Sequence, residues 1–323
     1  GRAIPPLLLF RAAREEDLVV ELDRACRRKA LESFGPLHRA CPNLALFVNF
    51  DVSIIDQGVL GTGMFAEYVR AQDLPSSSVV IEMIESRVRQ TEGIEQFVRT
   101  YKREGFLFAL DDLGTGHSNL ERIAILKPDI LKIDRSICHD LMTQHYKREI
   151  FTALVNLGHK IGAMLVAEGI ETEDEALGVL ELGADLIQGY YLAHPGPMGP
   201  DETDAVSTKA QDLAGRYEQF AVAKAQESYD TQRQHLQIVR EILGELESGG
   251  DGMDAVLDGL AGRYPDVECM YVVDDKGQQL SETVFNPVAT PKQRRFIFNP
   301  ASRGADHSLK DYVLSIRMGL DSY

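Results

Sequence analysis

The stretch Phe106 to Leu120, FLFALDDLGTGHSNL, decides the fold, because an apolar run stops at two adjacent carboxylates and then turns on glycine. Phe106, Leu107, Phe108, Ala109 and Leu110 read as a short buried strand. Asp111 and Asp112 stand at its end, and Gly114 and Gly116 supply a turn whose backbone can approach a ligand closely. Taken alone, DDLGTG is equally a plain turn, since Asp and Gly are turn residues. What separates the two readings is whether other strands end in the same way.

Working outward, short apolar runs alternate with longer amphipathic ones over the first 200 or so residues, the pattern of a parallel α/β fold. Upstream, the spacing predicts a helix over Glu16 to Phe34, strands at Leu44 to Phe50 and Ser78 to Ile84, and a helix over Ile94 to Arg103. Downstream come strands at Ile130 to Asp134, Ala163 to Glu168 and Asp185 to Tyr190, with helices over Lys147 to His159 and Glu173 to Leu182 between them. The six strands carry Asn49, Glu82, Asp111 with Asp112, Lys132, Glu168 and Gln188 at or near their ends. These lie roughly 20 to 36 residues apart, the length of a βα unit. A single polar residue in an apolar strand is an ordinary cap. Six in succession point to a shared site, because a barrel brings its strand ends onto one face. Eight strands are needed to close such a barrel, so the chain is expected to begin inside the domain, with two strands upstream of Gly1.

Composition bounds the function. The 323 residues are 44% hydrophobic and 26% charged, and 50 acidic against 34 basic residues give a formal charge of −16. That balance speaks against DNA, RNA or an anionic membrane as a general partner, while a small phosphate ligand held through metal ions remains open. Cys26, Cys41, Cys138 and Cys269 are scattered without a CxxC pair and fit reduced thiols in a cytoplasmic protein. No apolar run approaches the ~20 residues that span a bilayer, and no signal peptide opens the chain.

DDLGTG (Asp111 to Gly116), LKID (Leu131 to Asp134), AEGIE (Ala167 to Glu171), QGYYL (Gln188 to Leu192), FVN ending at Asn49 and the E-x-x-E of Glu82 and Glu85 occur in one order. In these motifs the chain resembles the EAL-domain cyclic-di-GMP phosphodiesterases. The resemblance implies a modified TIM (β/α)8 barrel of EAL type whose first strands are not in this chain. It also implies two Mg²⁺ or Mn²⁺ ions, cyclic di-GMP as substrate and linear pGpG as product; a homodimer is expected besides. By the same resemblance, Asp111 bridges the ions, with Asn49 and Glu82 on the first and Asp112 and Glu168 on the second. Hard oxygen donors of this kind suit Mg²⁺ or Mn²⁺ better than zinc.

Lys132 matches the family's catalytic lysine, orienting water or neutralising phosphorane charge; it could equally just pair with the acids around it, or do both. Glu168 has been given two roles, general base and metal ligand, and ligation is favoured because a carboxylate beside divalent ions loses basicity. Gln188 matches the position contacting the water or metal surroundings, Glu85 the anchor of the loop from Asp112 to Asn119, and Glu171 a supporting carboxylate or an ordinary surface one. Leu113 replaces the usual Phe and His117 the common Tyr. The Glu-Ala-Leu motif itself would lie before Gly1.

Three regions follow: an EAL domain over 1–197, a helical linker over 198–248, and a PAS-like or Cache-like α+β sensor domain over 249–323. This order resembles that of the YkuI-type subgroup. In the linker, Leu213, Tyr217, Ala221, Ala225, Tyr229, Leu236, Val239, Leu243 and Leu246 form one stripe, fit either to pack on the barrel or to join two chains. In the last region a helix over Met253 to Tyr264 precedes a hairpin of Val267 to Val273 and Gln279 to Phe285 around DDKG, and Leu309 to Met318 reads as a helix. Two functional classes remain: a metal-dependent phosphodiesterase tuned by the sensor, and a receptor that binds cyclic di-GMP without cleaving it.

Overall fold

A computed structural model describes residues 4–50, 64–84, 91–114, 119–197, 199–248, 252–265, 267–287 and 301–319. They fall into two compact units, Gly1–Val222 and Ala223–Tyr323.

The first unit is α/β and is built on six parallel strands in sequential order: β1 Leu46–Phe50, β2 Val79–Ile84, β3 Leu107–Leu113, β4 Ile130–Ile133, β5 Met164–Ala167 and β6 Leu186–Ile187. Every connection returns to the same edge of its predecessor, which is the winding of a (β/α) barrel. The intervening helices are α3 Met64–Ala71, α4 Thr91–Arg103, α5 Asn119–Leu126, the short α6 Arg135–Cys138, α7 His145–Ile161 and α8 Glu173–Glu181. Two helices precede them, α1 Pro6–Glu15 and α2 Val19–Ala40. The sequence spacing placed the second from Glu16 to Phe34; it runs on through Pro36, because Leu31, Phe34 and His38 continue a buried face beyond the proline.

Strand alternation sorts the side chains into two layers. Phe108, Leu110, Ile81, Met83, Leu131, Ile133 and Leu165 face the helices and join the large core that includes Phe97, Phe151 and Val179. The opposite face carries a small second cluster of Val80, Ala109, Ile130 and Val166, flanked by Phe47 and Leu107. Two residues further along each strand on that inner face stand Asn49, Glu82, Asp111, Lys132 and Glu168. The period of two thus lays an apolar floor and puts polar groups directly above it.

β3 departs from regular pairing. Leu110 aligns with Leu131 and Leu113 with Ile133, so β3 takes three steps where β4 takes two. The extra residue is a β-bulge at Asp111 and Asp112, and Asp112 has φ +60°. Aspartate tolerates this left-handed conformation better than most residues, since its short side chain bonds locally. The strand therefore does not stop at Leu110, as the apolar run suggested; it bulges, and Leu113 returns to the outer core.

In the second unit, α10 Met253–Leu260 packs with the antiparallel pair β7 Cys269–Met270 and β8 Val284–Phe285 around Leu257, Leu260, Ala261 and Met270. The hairpin expected from DDKG forms, with the bridge Val273↔Gln279 at its turn. Its ladder is interrupted where Ser281 Oγ accepts the Val272 amide at 2.8 Å. The C-terminal helix is α11 Asp311–Arg317. A single helix, α9 Pro200–Ser248, contributes its first part to one unit and the remainder to the other. In the first unit Leu213 of α9 is buried and the Tyr217 hydroxyl donates to Leu180 O at 3.1 Å.

Candidate active site

Lys132 is the centre of the polar layer. Its side chain is 4% exposed, yet its ammonium lies 2.6 Å from Glu82 Oε1, 2.6 Å from Glu168 Oε1 and 3.2 Å from Asp111 Oδ1. An ammonium has three hydrogens, and three carboxylates surround this one, two from β2 and β3 and one just past the end of β5. Glu82 is 5% exposed, whereas Asp111, Asp112 and Glu168 are half-buried at the mouth.

The bulge adds the fourth carboxylate. By simple alternation Asp112 would follow Asp111 onto the helix side; the turned backbone keeps it at the strand end, where its amide donates to Asp111 Oδ1 at 3.0 Å. As a result Asp111, Asp112 and Glu168 each offer an oxygen within 4.8 Å of the other two, a grouping able to hold a cation.

Four carboxylates around one ammonium leave an excess of negative charge, and the protonation equilibria reflect it. Burial pushes the Glu82 and Glu168 carboxyls above the ordinary range, with Lys132 opposing the shift in both. Asp112 is raised first by burial and then by the charge of Asp111. For Lys132, burial favours the neutral form. The attraction of Glu82 and the hydrogen bonds to Glu168 and Glu82 outweigh it, and the lysine is held charged well above its usual range.

The structure does not bring every expected residue into this cluster in the same way. Asn49 pairs in register with Glu82 but is exposed at the end of β1. Gln188 is exposed just past β6, and its backbone closes the sheet by donating to Ala167 O at 2.8 Å and accepting from the Ile170 amide at 3.1 Å. Glu171 is turned to Arg135, Nη1 to Oε1 2.7 Å, rather than to the lysine. Glu85 and the loop residues 115–118, His117 among them, lie outside the described residues. Sequence reading passed over Arg135, which directly follows the LKID motif at the N-terminus of α6; its adjacency to that motif was the only signal available.

The donors are oxygen atoms of carboxylates, with one amide beside them, and fit a hard divalent cation.

Comparison with known proteins identifies the family. Residues 1–195 match the EAL domain family. The EAL-domain containing protein YkuI of Bacillus subtilis is 27% identical over 307 residues, covering 93% of this chain and 72% of that protein. The crystal structure of YkuI, in complex with cyclic di-GMP and calcium, superimposes with a TM-score of 0.75 at 25% identity, covering 99% of this chain and 76% of that one. The cyclic di-GMP phosphodiesterase RocR of Pseudomonas aeruginosa is 32% identical over 144 residues, which are 43% of this chain and 36% of RocR. BlrP1 of Klebsiella pneumoniae, solved with manganese and cyclic di-GMP, has a TM-score of 0.55 at 25% identity over 59% of this chain and 48% of its own.

Proposed function

Because the chain belongs to the EAL-domain family, we propose that it hydrolyses cyclic di-GMP to linear pGpG with two bound Mg²⁺ or Mn²⁺ ions. The observation that carries this reading is the inward face of four carboxylates, Glu82, Asp111, Asp112 and Glu168, gathered around the buried Lys132. Non-catalytic use of the same barrel would not require these acids, and this chain keeps the four at Glu82, Asp111, Asp112 and Glu168. YkuI was solved with cyclic di-GMP and calcium, and BlrP1 with manganese and cyclic di-GMP, which supports the ligand and the divalent metal.

In this mechanism Asn49, Glu82, Asp111, Asp112 and Glu168 would hold the ions. Bound divalent ions would supply a nucleophilic water at neutral pH and stabilise both the attacking and the leaving oxygen. Glu168 would act as a ligand to the bound ions rather than as a base. Lys132, kept charged by its neighbours, neutralises charge as it develops on the phosphate. Gln188 orients water or substrate at the rim, and Glu85 anchors the loop that follows Asp112. Glu171 supports the site from outside the cluster.

The reading extends to the rest of the chain: a barrel over 1–197, a helical linker over 198–248 and a PAS-like or Cache-like sensor over 249–323 that tunes turnover. A homodimer in the cytoplasm completes it. Tyr229, Leu236, Val239 and Leu243 on α9 are exposed and support pairing of two chains, and no described helix is long and apolar enough to cross a membrane.

The deciding experiment incubates the protein with cyclic di-GMP and Mn²⁺ and follows pGpG by chromatography. Turnover that stops on chelation and returns with Mn²⁺ is expected. Tight binding with no pGpG would overturn the enzymatic reading in favour of a receptor.

A further inference from the structure

The turn that leaves β5 carries Glu168, and it is gripped from both sides. On one side the Glu168 amide donates to Ile133 O at 3.0 Å; on the other the Ile170 amide donates to Gln188 O at 3.1 Å. Gly169 between them has φ +68°, and a Cβ placed on it would fall 2.5 Å from both Cβ and Cγ of Arg135 and 2.8 Å from its Cδ. The aliphatic stem of Arg135 therefore lies directly on the Gly169 backbone, a contact no residue with a side chain would allow. Beyond the stem, the guanidinium reaches Glu171 Oε1 at 2.7 Å. One side chain thus crosses the turn and is tied down on its far side. The starting point of Arg135 is itself held, because Asp134 caps α6 by accepting the Ser136 amide at 2.8 Å.

We propose that Arg135 is a positioning residue for Glu168: packed on Gly169 and paired with Glu171, it straps the β5 exit turn and so fixes where the Glu168 carboxylate points. This rests on the reading that Glu168 ligates a divalent cation. The strap acts through geometry. Both partners of the ion pair are substantially exposed, 50% and 39%, so the pair contributes little to global stability. A ligand carboxylate is sensitive to small displacements, and loss of a supporting contact typically lowers metal affinity about 10- to 100-fold. The stem and the charge make separable contributions. Arg135→Lys keeps the methylenes over Gly169 and one positive charge but loses the fork that meets a carboxylate.

The test uses the full chain, freed of metal, with three readouts: Mn²⁺ binding by calorimetry without substrate, hydrogen exchange of the Ile170 and Glu171 amides, and thermal melting. For Arg135→Ala we expect Mn²⁺ affinity to fall about tenfold, exchange at Ile170 and Glu171 to quicken, and the melting temperature to stay put. Glu171→Gln is expected to act in the same direction, the double variant to be no worse than the stronger single one, and Arg135→Lys to recover most of the loss. Unchanged exchange in Arg135→Ala would overturn the strap. Faster exchange with unchanged Mn²⁺ affinity would equally overturn the proposal, leaving Arg135 as a contact of the turn with no hold on Glu168. A wild-type chain that takes up no Mn²⁺ would overturn the functional reading instead, and amide exchange would still report on the strap by itself.

Discussion

Two buried polar clusters, one in each unit, differ in a way that separates chemistry from architecture. In the second unit Gln279, 1% exposed, directs its Nε2 toward Ser281 O, Thr283 Oγ1 and Ala301 O, so its Oε1 faces His307 Nε2 at 3.0 Å as acceptor. His307 must then carry its proton on Nε2, and its Nδ1 accepts from the Tyr312 hydroxyl at 2.6 Å. Tyr312 in turn accepts from Tyr271 at 3.1 Å, and Tyr271 stacks on the His307 ring. Each of these side chains has a partner within the network, and no carboxylate, ammonium or guanidinium takes part. Around Lys132 the contacts are just as short but the charges do not cancel. A satisfied neutral network holds a fold together; a crowded, imbalanced one is what a metal-binding site costs the apoprotein.

The sharpest way to break the contrast is Asp111→Asn. It removes charge from the middle of the cluster without changing shape, so pGpG formation should fall by about 10³-fold or more, while the melting temperature holds. An active variant would sink the two-ion assignment. Next in size is Lys132→Ala. With the ammonium gone, the buried Glu82 and the half-buried Glu168 lose their shared partner, and the metal-free protein should lose about 3–5 kcal/mol in a urea titration. Added Mn²⁺ should restore part of that loss, because a cation re-enters the cluster; no restoration would argue that the acids are there only for the lysine.

Gln279→Ala probes the other cluster. It strands the His307 Nε2 donor and should cost about 1–3 kcal/mol in the second unit, seen by calorimetry, with Mn²⁺ binding unaltered. The smallest effect expected is the most diagnostic of imbalance. The folded state raises the pKa of Asp112 above the unfolded value, so the unfolded chain ionises first as pH rises. The contribution of this group to stability is therefore greatest below the ordinary aspartate pKa of about 3.9 and is lost as pH climbs through the raised folded value. Asp112→Asn should accordingly raise the melting temperature of the metal-free protein by a few degrees at pH 7.5 and give no advantage near pH 4, while weakening Mn²⁺ binding. A variant less stable than wild type at pH 7.5 would show that the contacts of Asp112 outweigh the cost of burying its charge beside Asp111.

Much of the first unit could be read along the chain. The order of six strands, their spacing and the identity of Asn49, Glu82, Asp111, Lys132 and Glu168 are properties of residue type and period, and the structure sets them two residues above Phe47, Val80, Ala109, Ile130 and Val166 as strand alternation requires. Boundaries were less legible. The apolar run ends at Leu110 although β3 continues to Leu113, because an acidic pair interrupts hydrophobicity without interrupting pairing. β6 is far shorter than Asp185 to Tyr190, since Gly189 brings its backbone against Ile170 and ends the ladder.

What the sequence determined by itself was which residues share a face, because strand periodicity is local and depends only on side-chain alternation. Only the tertiary structure decided how they meet. The bulge that keeps Asp112 at the mouth depends on the register between β3 and β4. The three carboxylates on Lys132 come from β2, β3 and the end of β5. The arginine lying across Gly169 links two turns more than 30 residues apart. Contacts of this kind arise from the closing of one strand on the next, and no local stretch of the chain contains the distances that make them.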